Sequence, residues 1–223
     1  MIAGVINTCG AFGGNMAIDN SNKRGMFENT RIKDTLVKPY LLRMGGDAEG
    51  QYPLPRQIHV PLTWKNEVLT VMNKEGYSKG QWMYKDSRMA LMWQVWNKAF
   101  PDAKWLIVRR RTADIIHSCT RTAFMKAFKG TGYQLINAKD ENEAWLWWVH
   151  QYEKKFVEMI EAGLNCKIIW PERMVDGDYK QLYETLEWLG LEWNPEALNF
   201  INVLLWGNKQ KRKEITYGTN NIG

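Results

Sequence analysis

Residues 104–128, KWLIVRRRTADIIHSCTRTAFMKAF, constrain the fold more than any other stretch. An apolar run of buried-strand character passes through Arg109, Arg110 and Arg111 into a segment with helical spacing, and Thr112 or Asp114 can start that helix. A strand that feeds a helix directly is half of a crossover unit, so the sequence predicts a parallel sheet covered by helices.

The remaining periodicity agrees. Ile2 to Ile6 is short and β-compatible, and a helix is expected to begin near Gly14. Residues 30–43 carry Ile32, Leu36, Val37 and Leu41 at helical spacing, with Pro39 expected to kink or divide them. Further helices are expected at 62–75, 89–100, 112 onwards, 141–162, 178–189 and 195–205, with Gly163 as a stop. Gln81–Tyr84 and CKIIW, residues 166–170, read as strands. The expected fold class is α/β, a three-layer arrangement with a central parallel sheet flanked by helices, in a single domain over 1–223.

The chain of 223 residues is 45% hydrophobic and carries a formal charge of +6, which favours anionic ligands without naming one. Three cysteines, Cys9, Cys119 and Cys166, lack metal-ligand spacing, so neither a zinc site nor a disulfide framework is expected. With no apolar run of membrane-spanning length and no signal-peptide pattern, a soluble, cytoplasmic protein is expected.

Two segments can bind anions. In GVINTCGAFGGNMAIDN, Gly10, Gly13 and Gly14 let backbone N–H groups surround an anion at a helix start. The nucleotide-triphosphate pattern requires Lys and Ser/Thr after its last glycine, whereas Asn15 and Met16 stand here, which disfavours a magnesium-dependent ATPase or GTPase. The second candidate is the arginine corner, at the carboxyl end of a strand where open α/β sheets bind ligands. Arg110 and Ser118, two helical turns apart, can clamp a phosphate between a forked cation and a hydroxyl. Neighbours alternate sides on a strand, so the three arginines cannot all face one ligand.

RRTADIIHS, Arg110 to Ser118, resembles the Arg-x-Pro-x-Asp-x-x-x-Ser segment with which sulfotransferases hold the 3′-phosphate of 3′-phosphoadenosine 5′-phosphosulfate (PAPS). YKDSRMALMWQVWNKAFPDAKWLIVRR resembles the Lys-Asp-Pro-Arg…Trp…Phe-Pro-Asp-Ala-Lys…Arg run of bacterial and phage members, and NKRGMFENTRI is similar to their Asn-Pro-x-Gly-Tyr-x-Glu segment. LEWLGLEW matches a late helix and turn, so the resemblance touches most of the chain to about residue 193, with 84–118 its specific part. It implies a P-loop, nucleotide-kinase-like sheet, a bacterial or phage origin (the host cytoplasm if viral), and transfer of a sulfuryl group from PAPS to a hydroxyl or amine.

Carried over by position, the resemblance makes Arg110 and Ser118 the 3′-phosphate clamp and Gly10, Ala11, Phe12, Gly13, Gly14, Asn15 and Met16 the 5′-phosphosulfate cradle. The family's usual cradle cation and hydroxyl are replaced here by Phe12 to Met16, and Ser87 and Thr112 stand where its motifs carry proline. In-line transfer needs a base and a cation at the leaving phosphate, but no metal. Glu28 is the first candidate base, with capping of the next helix as its alternative role, and His59 is the second. Lys85 is the candidate cation, ahead of Arg88 and Arg24; its alternative role is a salt bridge to Asp86 or another acid. The tail cations Lys209, Lys211 and Arg212 are either a solvated run or part of a segment closing on the nucleotide after Trp206-Gly207-Asn208.

The expected partners are the nucleotide and a small-molecule or glycan acceptor, with specificity loops at 44–61 and 126–142. Two alternatives stand beside transfer: a nucleotide- or anion-binding homologue without catalysis, and a basic nucleic-acid-binding protein. The second lacks any recognised nucleic-acid module.

Overall fold

The computed structural model describes residues 1–16 and 26–201. Trp105–Val108 (β1) and Cys166–Ile169 (β2) form a parallel pair in register Trp105↔Cys166 to Val108↔Ile169. The crossover between them contains Thr112–Arg121 (α6), a 3₁₀ turn at Gly132–Ile136 and the long helix Glu141–Glu161 (α7). The predicted strand, helix and strand around the arginine corner are therefore present. Among the described residues this pair is the whole regular sheet. The Gln81–Tyr84 segment contributes only a single parallel bridge, Phe12↔Trp82.

The opening segment corrects its expectation. Ile2–Thr8 is a helix (α1) instead of a strand. Ile2, Val5, Ile6 and Cys9 are buried at spacings of three, four and seven residues, which is one helix face. A five-residue apolar run fits either conformation, and packing decides: a Cβ on Gly4 would lie 2.5 Å from the Phe200 ring, so the helix seats against the 3₁₀ turn Pro195–Phe200 where Gly4 leaves space. The helix expected near Gly14 is not formed at Gly14 to Met16, and the rest of that segment lies outside the described residues.

Thr30–Ile32 (α2), a π-helical turn at Lys33–Val37 and Lys38–Arg43 (α3) run on from one another. The wide turn carries the helix through Pro39, whose missing N–H and ring would otherwise break it. Trp64–Lys74 (α4) follows, then a 3₁₀ turn at Ser87–Met92 running into Trp93–Ala99 (α5), so the segment expected as one helix begins in the tighter form. Pro171–Val175 (α8) and Lys180–Leu189 (α9) come after β2. Helix α7 starts at Asp140, which accepts from the Glu143 N–H at 2.8 Å, and it stops before Gly163, φ 76°, as expected.

Helices cover the strand pair from two sides. Trp105 joins one core with Tyr40, Leu41, Trp64, Met72, Leu91, Val95 and Trp96, while Ile169 joins another with Val5, Met174, Leu182 and Leu186. A third cluster packs Phe128, Ala144 and Trp145 between α6, α7 and the crossover loop. Trp145 is fully buried and edge-on to Phe128, with ring centroids 4.8 Å apart. Trp145→Ala should therefore cost about 3–5 kcal/mol in urea unfolding, against less than about 0.5 kcal/mol for Val157→Ala on the same helix, whose side chain is exposed. Equal losses would contradict this burial of α7.

Candidate functional site

Three segments distant in sequence meet at residues 10–16. Phe12 N–H donates to the Gln81 carbonyl at 2.9 Å and Met83 N–H to the Phe12 carbonyl at 2.8 Å, placing the loop beside 81–83. On its other side Met16 bridges Asn29, and Thr30 N–H donates to the Asn15 carbonyl at 3.1 Å. Asn29 caps the following helix, its Oδ1 accepting from the Ile32 N–H at 2.9 Å. Backbone pairing thus sets Glu28 and Lys85, each just beyond a paired segment, near the loop.

Glu28 and Lys85 are partners. Lys85 Nζ lies 2.9 Å from Glu28 Oε1, and the Arg88 guanidinium lies 3.1 Å from Oε2. The candidate base and the candidate cation therefore hold one another, and capping of a helix falls to Asn29 and not to Glu28. Lys85's side chain is 43% exposed, against 11% for Glu28 and 5% for Arg88, so Lys85 is the member that can leave at least cost.

Arg88 is the hub. Its Nε donates to Asp86 Oδ1 at 2.7 Å, and its other donors reach Glu49 Oε2 at 3.2 Å and the Ala48 carbonyl at 3.3 Å. Asp86 also accepts from the Arg88 N–H at 2.9 Å, capping the 3₁₀ turn, and from the Tyr84 hydroxyl at 2.7 Å. Burial works against the Arg88 charge, yet the hydrogen bond and charge of Asp86, and then Glu28, raise its pKa above the ordinary value. Burial, followed by the Asp86 charge, raises Tyr84 as well. Glu49 continues the chain of charges to Lys38 at 2.7 Å. The Arg88 stem packs under Gly50, whose φ is 71° and whose added Cβ would lie 2.6 Å from the Tyr152 hydroxyl and 2.8 Å from Arg88 Cγ. Asp86, expected as a partner for Lys85, holds Arg88 instead, and Lys85 takes the other acid, Glu28; the Asp-x-Arg spacing at a helix start is the local signal for the first pair.

The loop's donors are largely committed. Gly10, Ala11 and Phe12 N–H groups donate to backbone carbonyls, and Asn15 N–H donates to Glu75 Oε2 at 2.8 Å. The Gly13, Gly14 and Met16 N–H groups donate to no acceptor among the described residues. Phe12 packs against Tyr77, with ring centroids 5.8 Å apart. Glu75, just past α4, was missed in the sequence because nothing local marks it.

The three arginines of the corner lie just past the end of β1 and do not share one partner. Arg109 pairs with Glu153 and donates to Thr112 Oγ1 at 2.8 Å, and Arg111 Nε lies 3.2 Å from Asp114 Oδ2. Arg110 is half-buried and its charge reaches Cys119; Ser118 is exposed on α6. His59 is exposed and contributes its carbonyl to the Tyr40 hydroxyl at 2.7 Å, a structural contact. Lys209, Lys211, Arg212 and Arg24 lie outside the described residues. No group of His, Cys, Asp and Glu suited to a metal occurs among the described residues, and no described helix is long and apolar enough to cross a membrane. The chain matches no protein-family model, no curated protein and no solved structure.

Arg88→Met should destabilise the protein by about 3–5 kcal/mol in equilibrium unfolding, because buried Asp86 loses its counter-charge and Glu28 keeps only Lys85, and Arg88→Lys should recover part of that loss. A variant as stable as the parent would remove Arg88 from this role. Cys119 gives a pH prediction. Burial first, offset in part by Arg110, pushes its thiol from 9.0 up to about 12. Because the folded-state value is the higher one, this contribution is whole below pH 9.0 and is lost as the pH rises towards 12, on the order of 4 kcal/mol in full. Unfolding measured from about pH 8 to pH 11 should show a shallower alkaline decline in Cys119→Ala than in the parent; parallel declines would refute it.

Proposed function

We propose that the chain is a PAPS-dependent sulfotransferase with a P-loop, nucleotide-kinase-like fold. The observation that carries this reading is that loop 10–16 pairs through its backbone with both segments that carry the Glu28–Lys85 ion pair, three pieces assigned to one site by motif order alone. The partial sheet also supports it: β1 and β2 are parallel and joined through α6, as a nucleotide-binding α/β fold requires.

The residues fit the donor in two respects. The Gly13 and Gly14 amides bond no acceptor among the described residues, with Gly13 buried, and Arg110 and Ser118 follow a strand end as a phosphate clamp does. PAPS, when bound, supplies an activated sulfuryl group whose departure leaves charge on phosphate. Lys85 neutralises that charge and, in moving towards it, releases Glu28 Oε1 from its ion pair. Glu28 Oε1 then takes the acceptor's proton, while Arg88 keeps hold of Oε2 and fixes the carboxylate's orientation. Asp86 and Tyr84 hold Arg88 in turn. The bound acceptor is a hydroxyl or amine compound, and no metal takes part.

A second reading, a nucleotide-binding protein without transfer, is favoured by one observation: the loop lacks a cation and carries the Glu75 carboxylate. Calorimetry with 3′,5′-phosphoadenosine should show binding, weakened about 10- to 100-fold in Arg110→Ala through loss of a charge-assisted contact. Equal affinity in both proteins would sink the nucleotide assignment. With labelled PAPS and a panel of saccharides, phenols, lipids and amines, Lys85→Ala should lower transfer by about 10²-fold or more while leaving binding of the desulfated nucleotide within severalfold. Binding without transfer in the parent across the panel favours the second reading.

A further inference from the structure

Glu75 has no place in the transfer scheme, yet its carboxylate lies in the middle of the loop that is to receive an anion. Oε2 accepts from the Asn15 N–H at 2.8 Å and from Asn29 Nδ2 at 2.6 Å. The same Asn29 amide reaches the Gly13 carbonyl at 3.3 Å, so Glu75, Asn29 and the loop form one closed set. Gly14 makes the approach possible: with φ 68° it turns its Cα side to the carboxylate, and a Cβ there would lie 2.3 Å from Oε2.

These contacts repeat what a phosphate loop does with its ligand. A backbone N–H in a glycine-rich turn donates to an anionic oxygen, and a side-chain amide donates to the same atom. Here the oxygen belongs to the protein. We propose that Glu75 is an internal plug, an autoinhibitory carboxylate that occupies the anion-facing amide of Asn15 and must swing out before an oxyanion is received. Its placement supports displacement: it follows the last turn of α4, is only half-buried, and forms no ion pair among the described residues. An incoming phosphosulfate competes with it for Asn15 N–H and is repelled by its charge while it remains. Loss of the charge therefore strengthens anion binding, whereas a carboxylate that only organised the loop would weaken binding on removal.

The inference rests on loop 10–16 being an oxyanion cradle, and the experiment separates the two ideas. Parent, Glu75→Gln and Glu75→Ala proteins are titrated with 3′,5′-phosphoadenosine 5′-phosphosulfate by calorimetry, and with sodium sulfate by amide NMR at Gly13, Gly14 and Asn15. Glu75→Gln keeps an acceptor for Asn15 and Asn29, so it preserves the loop if Glu75→Ala does not fold. The expected result is tighter nucleotide binding, by about tenfold in Glu75→Gln, with larger sulfate shifts than in the parent. Equal or weaker nucleotide binding in Glu75→Gln overturns the plug and leaves the nucleotide reading standing. If no protein binds the nucleotide but sulfate shifts the three amides more in Glu75→Gln, the plug stands and the nucleotide reading falls. If neither ligand acts on any of the proteins, both fall.

Discussion

Much of the structure hangs on where one buried cation is held. Arg88 brings Glu28, Ala48, Glu49 and Asp86 to a single guanidinium, joining the segment before α2, the loop after α3 and the turn before α5. Gly50 sits against its stem, and the Gly50 carbonyl accepts from Tyr152 and Trp148 on α7, each at 2.9 Å. Gln51 extends the same loop to the crossover, its amide donating to the Phe124 carbonyl and accepting from the Lys126 and Ala127 N–H groups. The segments read as two specificity loops are thus bonded to each other and, through Gly50, to the charge cluster. A guanidinium suits this task because its planar donors point several ways at once while the charge stays compensated.

The second feature is the contrast between a glycine-rich loop, proposed as an anion cradle, and the charge beside it. Glycines at 10, 13 and 14 give the backbone its shape, Lys85 stands apart from the loop on Glu28, and an acid stands at Asn15. Both groups have internal partners: Lys85 is ion-paired with Glu28, and the Asn15 N–H is hydrogen-bonded to Glu75. On the proposed function, an anionic donor would exchange these internal partners for itself, so the arrangement of partners would set affinity more than the number of cations.

Legibility followed the range of the interactions. The strand Trp105–Val108, the helix Thr112–Arg121 and the helix Glu141–Glu161 were all readable because their apolar spacing, their starts and the Gly163 stop are local signals. The first helix was misread because five apolar residues carry no period, and its form depends on Phe200, far along the chain. Glu28 and Lys85 were singled out one by one from motif order, but their pairing was not legible, nor was Glu75, since no local pattern distinguishes an exposed acid after a helix from one turned into a distant loop.

By itself, the sequence determined the β1–α6 corner, the helical segments and the short-range chemistry available at each position, because periodicity, capping and turn residues act over a few residues. The tertiary structure alone decided which charges face one another. It made Glu28 the partner of Lys85 and Arg88, drew Arg109 and Arg111 to carboxylates, and placed Glu75 on the loop. Ion pairs and buried donors are matched across segments that chain order leaves far apart, so their assignment waits on packing.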